Sequence, residues 1–177
     1  IMRQIKLYIA TSLDGYIATP DGGVEWLTQF PNTTNDDYKY NELLQSIDIV
    51  LMGGRTYREI IGFGGEWSYR KKQTYVVSHK NINLTPKEPV QFITESINEE
   101  ITKLKNSQGR DIWLVGGGEL VSMLIDLDLI DEMQICVFPI ILGQGIPLFP
   151  NKPKEKNWKL KSCRTFQNGA ILSTYYK

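Results

Sequence analysis

The sequence predicts an α/β fold, a mainly parallel sheet with flanking helices that finishes in antiparallel strands. Three observations carry that reading. Continuous apolar runs, the pattern of strands buried on both faces, recur at DIVLM, TYVVS and DIWLV. Helix-spaced segments fall between such runs, as parallel pairing requires. After residue 126 the pattern changes to strand-like runs with no helix between them.

Taken in order, Lys6 to Ala10 is a short apolar run closed by the turn-prone Ser12-Leu13-Asp14-Gly15, and reads as the first strand. From Ile17 to Asn35 runs a loop rich in Gly, Pro, Thr and Asn that carries Trp26, Leu27 and Phe30. A loop of that length with apolar residues suits a lid or a pocket wall. Asp36 to Ser46 places Tyr40, Leu43 and Leu44 at helical spacing, with Asn35 or Asp36 as N-cap. DIVLM at 48–52 is a buried strand that turns directly into the short helix of GGRTYREII. Lys72 to Ser78 repeats the strand pattern, 81–89 is turn chemistry, and VQFIT at 90–94 is a further strand. Glu95 to Asn106 puts Ile97, Ile101 and Leu104 on one helical face, with Gly109 as the stop. DIWLV at 111–115 is a strand ending in three glycines, and Glu119 to Asp126 is a helix. Met133 to Ile141, Trp158 to Phe166 and Ala170 to Tyr176 complete the chain as strands. Trp67 and Trp113 are assigned to packing.

A chain of 177 residues, 41% hydrophobic and 11% aromatic, can bury one sizeable core, so a single domain over 1–177 is expected. Lys plus Arg and Asp plus Glu both number 20, which leaves no net field to attract nucleic acid or an anionic membrane. The expected partner is a small-molecule substrate. No stretch approaches the roughly 18 apolar residues of a membrane helix, and KLYIATSLDGYIA lacks the build of a signal peptide, so a cytoplasmic location is expected. Cys136 and Cys163 have neither zinc nor redox spacing and read as buried free thiols. His79 is the sole histidine, so neither a metal site nor a Ser/His/Asp triad is expected.

Three junctions carry chemistry. Val115-Gly116-Gly117-Gly118 lies between a strand and a helix, where residues without Cβ let the backbone approach a ligand and offer amide N–H groups at a positive helix end. It matches neither the dinucleotide fingerprint nor the phosphate loop, so a tight structural turn remains an alternative. LMGGRTY at 51–57 is a second such junction, in which Gly53 and Gly54 permit close approach and Arg55 and Thr56 supply a cation and a hydroxyl. Arg55 on its own also reads as a solvated surface charge. VVSHK at 76–80 delivers Ser78, His79 and Lys80 to the C-terminal end of a buried strand, the edge at which open α/β sheets bind ligands.

SLDGYIA, MGGRTY, VVSHK, VGGGEL and the late VFPIILGQGIPLF, in this order, resemble the dihydrofolate reductase superfamily. They are most similar to its branch containing the reductase domain of the bacterial bifunctional riboflavin-biosynthesis deaminase-reductase. The resemblance runs from about Lys6 to Tyr176. It implies a dihydrofolate-reductase-like, eight-stranded, mainly parallel sheet and an NADPH-dependent oxidoreductase. Carried over position by position, Ala10, Ile17 and Ala18 would line the nicotinamide side, and Gly53, Gly54, Arg55 and Thr56 the phosphates. Ser78, His79 and Lys80 would meet the adenosine end. Val115, Gly116, Gly117, Gly118, Glu119 and Leu120 would take the pyrophosphate and nicotinamide ribose. The family commonly has Arg straight after the first Gly of the second motif, whereas here Gly54 intervenes and Arg55 takes over. The branch resembles homodimers paired through late strands, and the apolar VFPII is consistent with that.

Hydride transfer needs a proton source for the acceptor. Counting back from Met52-Gly53, the resemblance places Asp37 where dihydrofolate reductases carry their catalytic carboxylate. A helix-capping role for Asp37 is the alternative. Lys72 stands where the folate enzymes place an Arg for the glutamate tail, and its point charge suits a phosphorylated sugar better. Trp26 and Tyr38, with Phe30 and Tyr40, read as an aromatic wall for a flat heterocycle, or as core. The expected activity resembles that of 5-amino-6-(5-phosphoribosylamino)uracil reductase. Dihydrofolate reductase proper and a non-catalytic NADPH-binding module are the rivals.

Overall fold

A computed structural model describes residues 2–79 and 89–177. The first apolar run forms strand β1 (Ile5–Thr11), and the turn after it leads to β2 (Tyr16–Ala18) and one turn of helix, α1 (Glu25–Thr28). Helix α2 (Tyr40–Ser46), strand β3 (Ile47–Gly53), helix α3 (Gly54–Gly62) and strand β4 (Gln73–Val77) follow. After β5 (Val90–Ile93) come α4 (Ile97–Asn106), β6 (Asp111–Gly116) and α5 (Gly118–Asp126). The tail adds β7 (Glu132–Val137), the two-residue β8 (Ile146–Pro147), β9 (Lys159–Thr165) and β10 (Ile171–Tyr176).

Eight strands make one sheet in the order β5-β4-β3-β6-β1-β7-β10-β9. Every pairing from β5 to β7 is parallel, and β10 runs antiparallel to both β7 and β9. The antiparallel edge therefore begins one strand later than the sequence pattern suggests. The run at 133–141 yields β7, which pairs with β1 in parallel from Lys6↔Glu132 to Thr11↔Val137. This is possible because α5 lies between β6 and β7 and provides the crossover that parallel pairing needs.

The apolar runs bury both faces. On β3, Ile49 and Leu51 face a core shared with Ile5, Leu7, Ile112 and Leu114 and covered by Ile101 of α4 and Leu120, Val121 and Leu124 of α5. Val50 and Met52 face the other way, onto Leu43 of α2, Tyr57 of α3, Trp67, Tyr69 and Trp113. The packing assigned to Trp67 and Trp113 is what the structure shows. A third cluster of Cys136, Phe138, Phe166, Ala170 and Leu172 packs against Trp26, Phe30 and Tyr38 from the long loop. No helix among the described residues is long and apolar enough to cross a membrane.

Two further expectations change. Helix α2 begins at Tyr40, not Asp36, because Asn35, Tyr38 and Lys39 adopt left-handed backbone and the carboxylates of Asp36 and Asp37 bond to nearby backbone N–H groups. Short polar side chains compete with a helix in this way. Both cysteines are free, but only Cys136 is buried; Cys163 is exposed, because β9 is an edge strand exposed at every residue. The turn expected at 81–89 lies almost wholly outside the described residues.

Candidate active site

The C-terminal ends of β4, β3, β6 and β1 open into a cavity of about 590 Å³, large enough for a sizeable organic ligand. Ala10, Ile17, Ala18, Gly53, Gly54, Arg55, Thr56, Ser78, His79, Val115, Gly116, Gly117, Gly118, Glu119 and Leu120 all line it. Five separated segments thus converge on one space. Lys80 lies outside the described residues.

The glycines of the two junctions do different work. The Gly116–Gly117 peptide bond is cis, and Gly116 has φ +133°, a backbone that side chains rarely adopt. A Cβ on Gly53 would stand 3.6 Å from the Gly117 nitrogen, so the ends of β3 and β6 meet nearly backbone to backbone beneath the cavity floor. Gly118 serves packing: a Cβ there would lie 2.6 Å from the Pro147 carbonyl oxygen and 2.7 Å from Pro150 Cδ. Helices α3 and α5 both start at these glycines without a side-chain cap, leaving first-turn N–H groups for an anion.

The cavity is polar at one end and apolar at the other. Near β3 and β4 stand Arg55, Arg58, Glu59, Ser78 and His79, whereas Ile9, Ala10, Ile17, Ala18 and Leu27 stand on or beside β1. Arg55 Nε donates to Glu59 Oε1 at 3.1 Å on the exposed face of α3. Arg58 has no ion pair among the described residues. Sequence reasoning missed Arg58 and Glu59, although their spacing from Arg55 in the first turns of α3 was a usable signal.

A small second sheet roofs the apolar end, with Tyr16 paired to Pro147 and Ala18 to Ile146. Asp14 holds it. Its carboxylate accepts the N–H groups of Gly143 at 2.7 Å and Leu142 at 3.1 Å, and the Ser12 hydroxyl at 2.6 Å. The Ser12 hydroxyl, followed by these backbone donors, holds its carboxyl below the usual carboxylate range.

The expected acceptor residues divide. Asp37 is exposed and its carboxylate accepts the N–H groups of Lys39 at 3.0 Å and Asn41 at 3.1 Å, at the start of α2. Lys72 donates to the carbonyls of Leu44 at 2.6 Å and Ile47 at 2.7 Å, at the end of the same helix. Burial, and then Arg110, lowers its pKa. Neither residue lines the cavity. Trp26 and Tyr38 adjoin it through the cluster that includes Ala10 and Leu27, each ring set edge-on to Phe138. Trp26 Nε1 is buried without a partner among the described residues. Both aspartates are felt in this interior: burial, and then Asp36, pushes the Cys136 thiol up to about 12, and burial, then Cys136 and Asp37, raises the Tyr8 hydroxyl.

A mainly parallel sheet of this order, with a ligand-sized cleft over two glycine junctions, defines the dihydrofolate-reductase-like class of α/β proteins. The chain belongs to the RibD C-terminal domain family, which it matches over residues 3–172. It is 37% identical over 174 residues to the uncharacterised protein YwjB of Bacillus subtilis (strain 168), covering 98% of this chain and 97% of that one. A solved structure from Shewanella sp. PV-4, provisionally assigned to riboflavin biosynthesis, superposes with a TM-score of 0.86 at 30% identity and 98% coverage of both chains. Dihydrofolate reductase from Enterococcus faecalis, complexed with NADP(H), gives a TM-score of 0.69 at 17% identity, covering 99% of this chain and 98% of that one, and shows a shared fold. The family is that of the C-terminal domain of RibD, and the likeness to dihydrofolate reductase extends to the fold.

Proposed function

We propose that the chain is an NADPH-dependent reductase that transfers a hydride to a heterocyclic or ribosylamine acceptor, resembling 5-amino-6-(5-phosphoribosylamino)uracil reductase. The observation that carries it is the convergence of both glycine junctions and the Ser78-His79 strand end on one cavity with a charged and an apolar end. The lining fits the cofactor. The first turns of α3 and α5 suit a pyrophosphate, and Arg55, Arg58 and Ser78 suit a further phosphate at the adenosine end. Ala10, Ile17 and Ala18 suit a flat, uncharged ring. When bound, NADPH would supply the hydride. The chain's own residues position the ring against the end of β1, and the Asp14-held roof excludes water from it. Lys72, spent on two carbonyls and off the cavity, serves neither a glutamate tail nor a sugar phosphate; the riboflavin-type reading is supported instead by the family match over residues 3–172.

The test pairs cofactor titration with turnover. NADPH is expected to bind more tightly than NADH, and Arg58→Ala to erase about tenfold or more of that preference, the effect of one charge-assisted contact. Equal affinity for the two cofactors in the wild type would overturn the assignment. NADPH oxidation should be faster with the ribosylaminopyrimidine than with dihydrofolate. Binding without oxidation of either would instead favour a non-catalytic module. We also propose a homodimer through β9, whose seven residues are all exposed at the sheet edge. A monomeric mass by light scattering would exclude it.

A further inference from the structure

Beside the apolar end of the cavity, one residue is held in a costly conformation by several unrelated contacts. Tyr38 has φ +52°, and nearby Asn35 and Lys39 have φ +51° and +64°. A left-handed backbone is a marked outlier for a bulky aromatic, and it persists only where the surroundings over-determine it. They do so here. The Tyr38 N–H donates to Asp36 Oδ1 at 2.9 Å, and its carbonyl accepts the Tyr8 hydroxyl at 2.8 Å. Its hydroxyl accepts Asn168 Nδ2 at 2.7 Å, and the same amide donates to the Pro31 carbonyl at 2.9 Å. Its ring is wedged edge-on against Phe138 and Phe166, at centroid distances of 5.3 and 4.9 Å.

That ring occupies a place suited to another ring. Two aromatic neighbours flank it, and its cluster includes Ala10 and Leu27, which also line the cavity. If the Tyr38 ring swung out, the Asn168 amide would lose that acceptor. If the backbone at 38 moved with it, the Tyr8 hydroxyl would become a free donor and Asp36 a free acceptor, in the cluster that holds Trp26, whose Nε1 has no partner among the described residues. A planar ring with both accepting and donating edge atoms would satisfy them. That backbone movement would also relieve the left-handed conformation at Tyr38, and the Asn168 hydrogen bond acts as the latch.

We propose that Tyr38 is a gate: its ring fills the slot between Phe138 and Phe166 in the free protein, and the planar heterocycle of the acceptor takes that slot when the latch opens. The proposal rests on the reading of the cavity as a reductase site, and its test is kept separate from that reading. The probe is 6-methylpterin, a flat ring that needs no turnover. It is titrated into the wild type, Tyr38→Phe and Tyr38→Gly, with the affinity for NADP+ and the Tm measured on the same samples. Tyr38→Phe keeps the ring and removes the latch, and Tyr38→Gly removes both the ring and the strain.

A gate and a wall predict opposite signs. Opening the latch raises the binding-competent fraction, so Tyr38→Phe should bind the probe several-fold to about tenfold more tightly. Tyr38→Gly should bind it more tightly still, with NADP+ affinity unchanged in both. Unchanged or weaker binding in Tyr38→Phe, weaker binding in Tyr38→Gly, or no measurable probe binding in any of the three overturns the gate. Failure of the wild type to bind NADP+ would remove the cofactor reading while the probe titration still decides the gate.

Discussion

The two walls of the cavity are made of different material. Under the charged end the wall is backbone: strand termini brought together at Gly53, Gly116 and Gly117, with two uncapped helix starts above them. Beside the apolar end it is side chain, a cluster of rings on a loop whose left-handed residues are held by Asp36, Tyr8 and Asn168. The backbone wall resists substitution where Gly116 holds φ +133° and where a Cβ on Gly118 would meet Pro147 and Pro150, whereas a side-chain wall can rearrange. The first suits a constant ligand and the second a variable one.

The largest effects are expected where the backbone wall is broken. Gly116→Ala forces a Cβ onto φ +133°, at a cost of roughly 1–3 kcal/mol, and is expected to weaken NADPH binding at least tenfold. Gly118→Ala should act through packing, since its Cβ would meet Pro147 and Pro150. A loss of roughly 1–3 kcal/mol is expected, lowering the Tm by about 2–4 °C per kcal/mol. Calorimetry run beside NADPH titration separates the roles: both variants lose stability, but affinity should fall out of proportion in Gly116→Ala, and a Gly118→Ala protein of unchanged Tm would break the distinction drawn between the two glycines.

A smaller effect is expected at the roof. Asp14→Ala frees the 140–145 segment from the turn after β1, so NADPH dissociation should quicken several-fold while the Tm falls little. The pH dependence has a definite sign. The carboxyl of Asp14 is held below its ordinary value in the folded protein, so its contribution is fully present above the unfolded pKa and is lost as pH falls through the folded one. Wild-type dissociation should stay flat from neutral into mildly acidic solution and rise only below the usual carboxylate range. The variant should lack that acid limb in stopped-flow measurements; an identical limb in both would assign it elsewhere.

The same contrast governs what the sequence made legible. Runs such as DIVLM announced strands buried on both faces, and the glycine junctions announced a backbone wall, because these signals are local in the chain. Strand direction at β7 was harder, since a parallel and an antiparallel edge strand share one apolar pattern and only the partner decides. The tiny β8, two residues long, has no periodicity to detect. The acceptor side was the least legible. Asp36 and Asp37 are adjacent and chemically identical, and that Asp36 is half-buried and Asp37 exposed follows from left-handed residues at 35, 38 and 39, of which only Asn35 is a type that favours that backbone. Lys72 likewise reads as a free cation until the ends of α2 and β3 present it with two carbonyls.

The smallest expected effect sharpens the comparison most, because it concerns a residue that position alone would make catalytic. Asp37 bonds the N–H groups of Lys39 and Asn41 and lies off the cavity. Asparagine keeps one of the two acceptor oxygens that Asp37 uses, Oδ1 on Lys39 and Oδ2 on Asn41. Asp37→Asn should therefore lose about one exposed hydrogen bond, about 0.5–1 kcal/mol, and leave kcat and its pH profile unaltered. Asp36→Asn should be felt more, through Tyr38 and the ring cluster. A collapse of kcat in Asp37→Asn with the Tm intact would mean that the carboxylate leaves its cap when the acceptor binds. The loop from 35 to 39 would then move as one piece with the gate, since the Asp37 bonds and the Tyr38 backbone share that short segment.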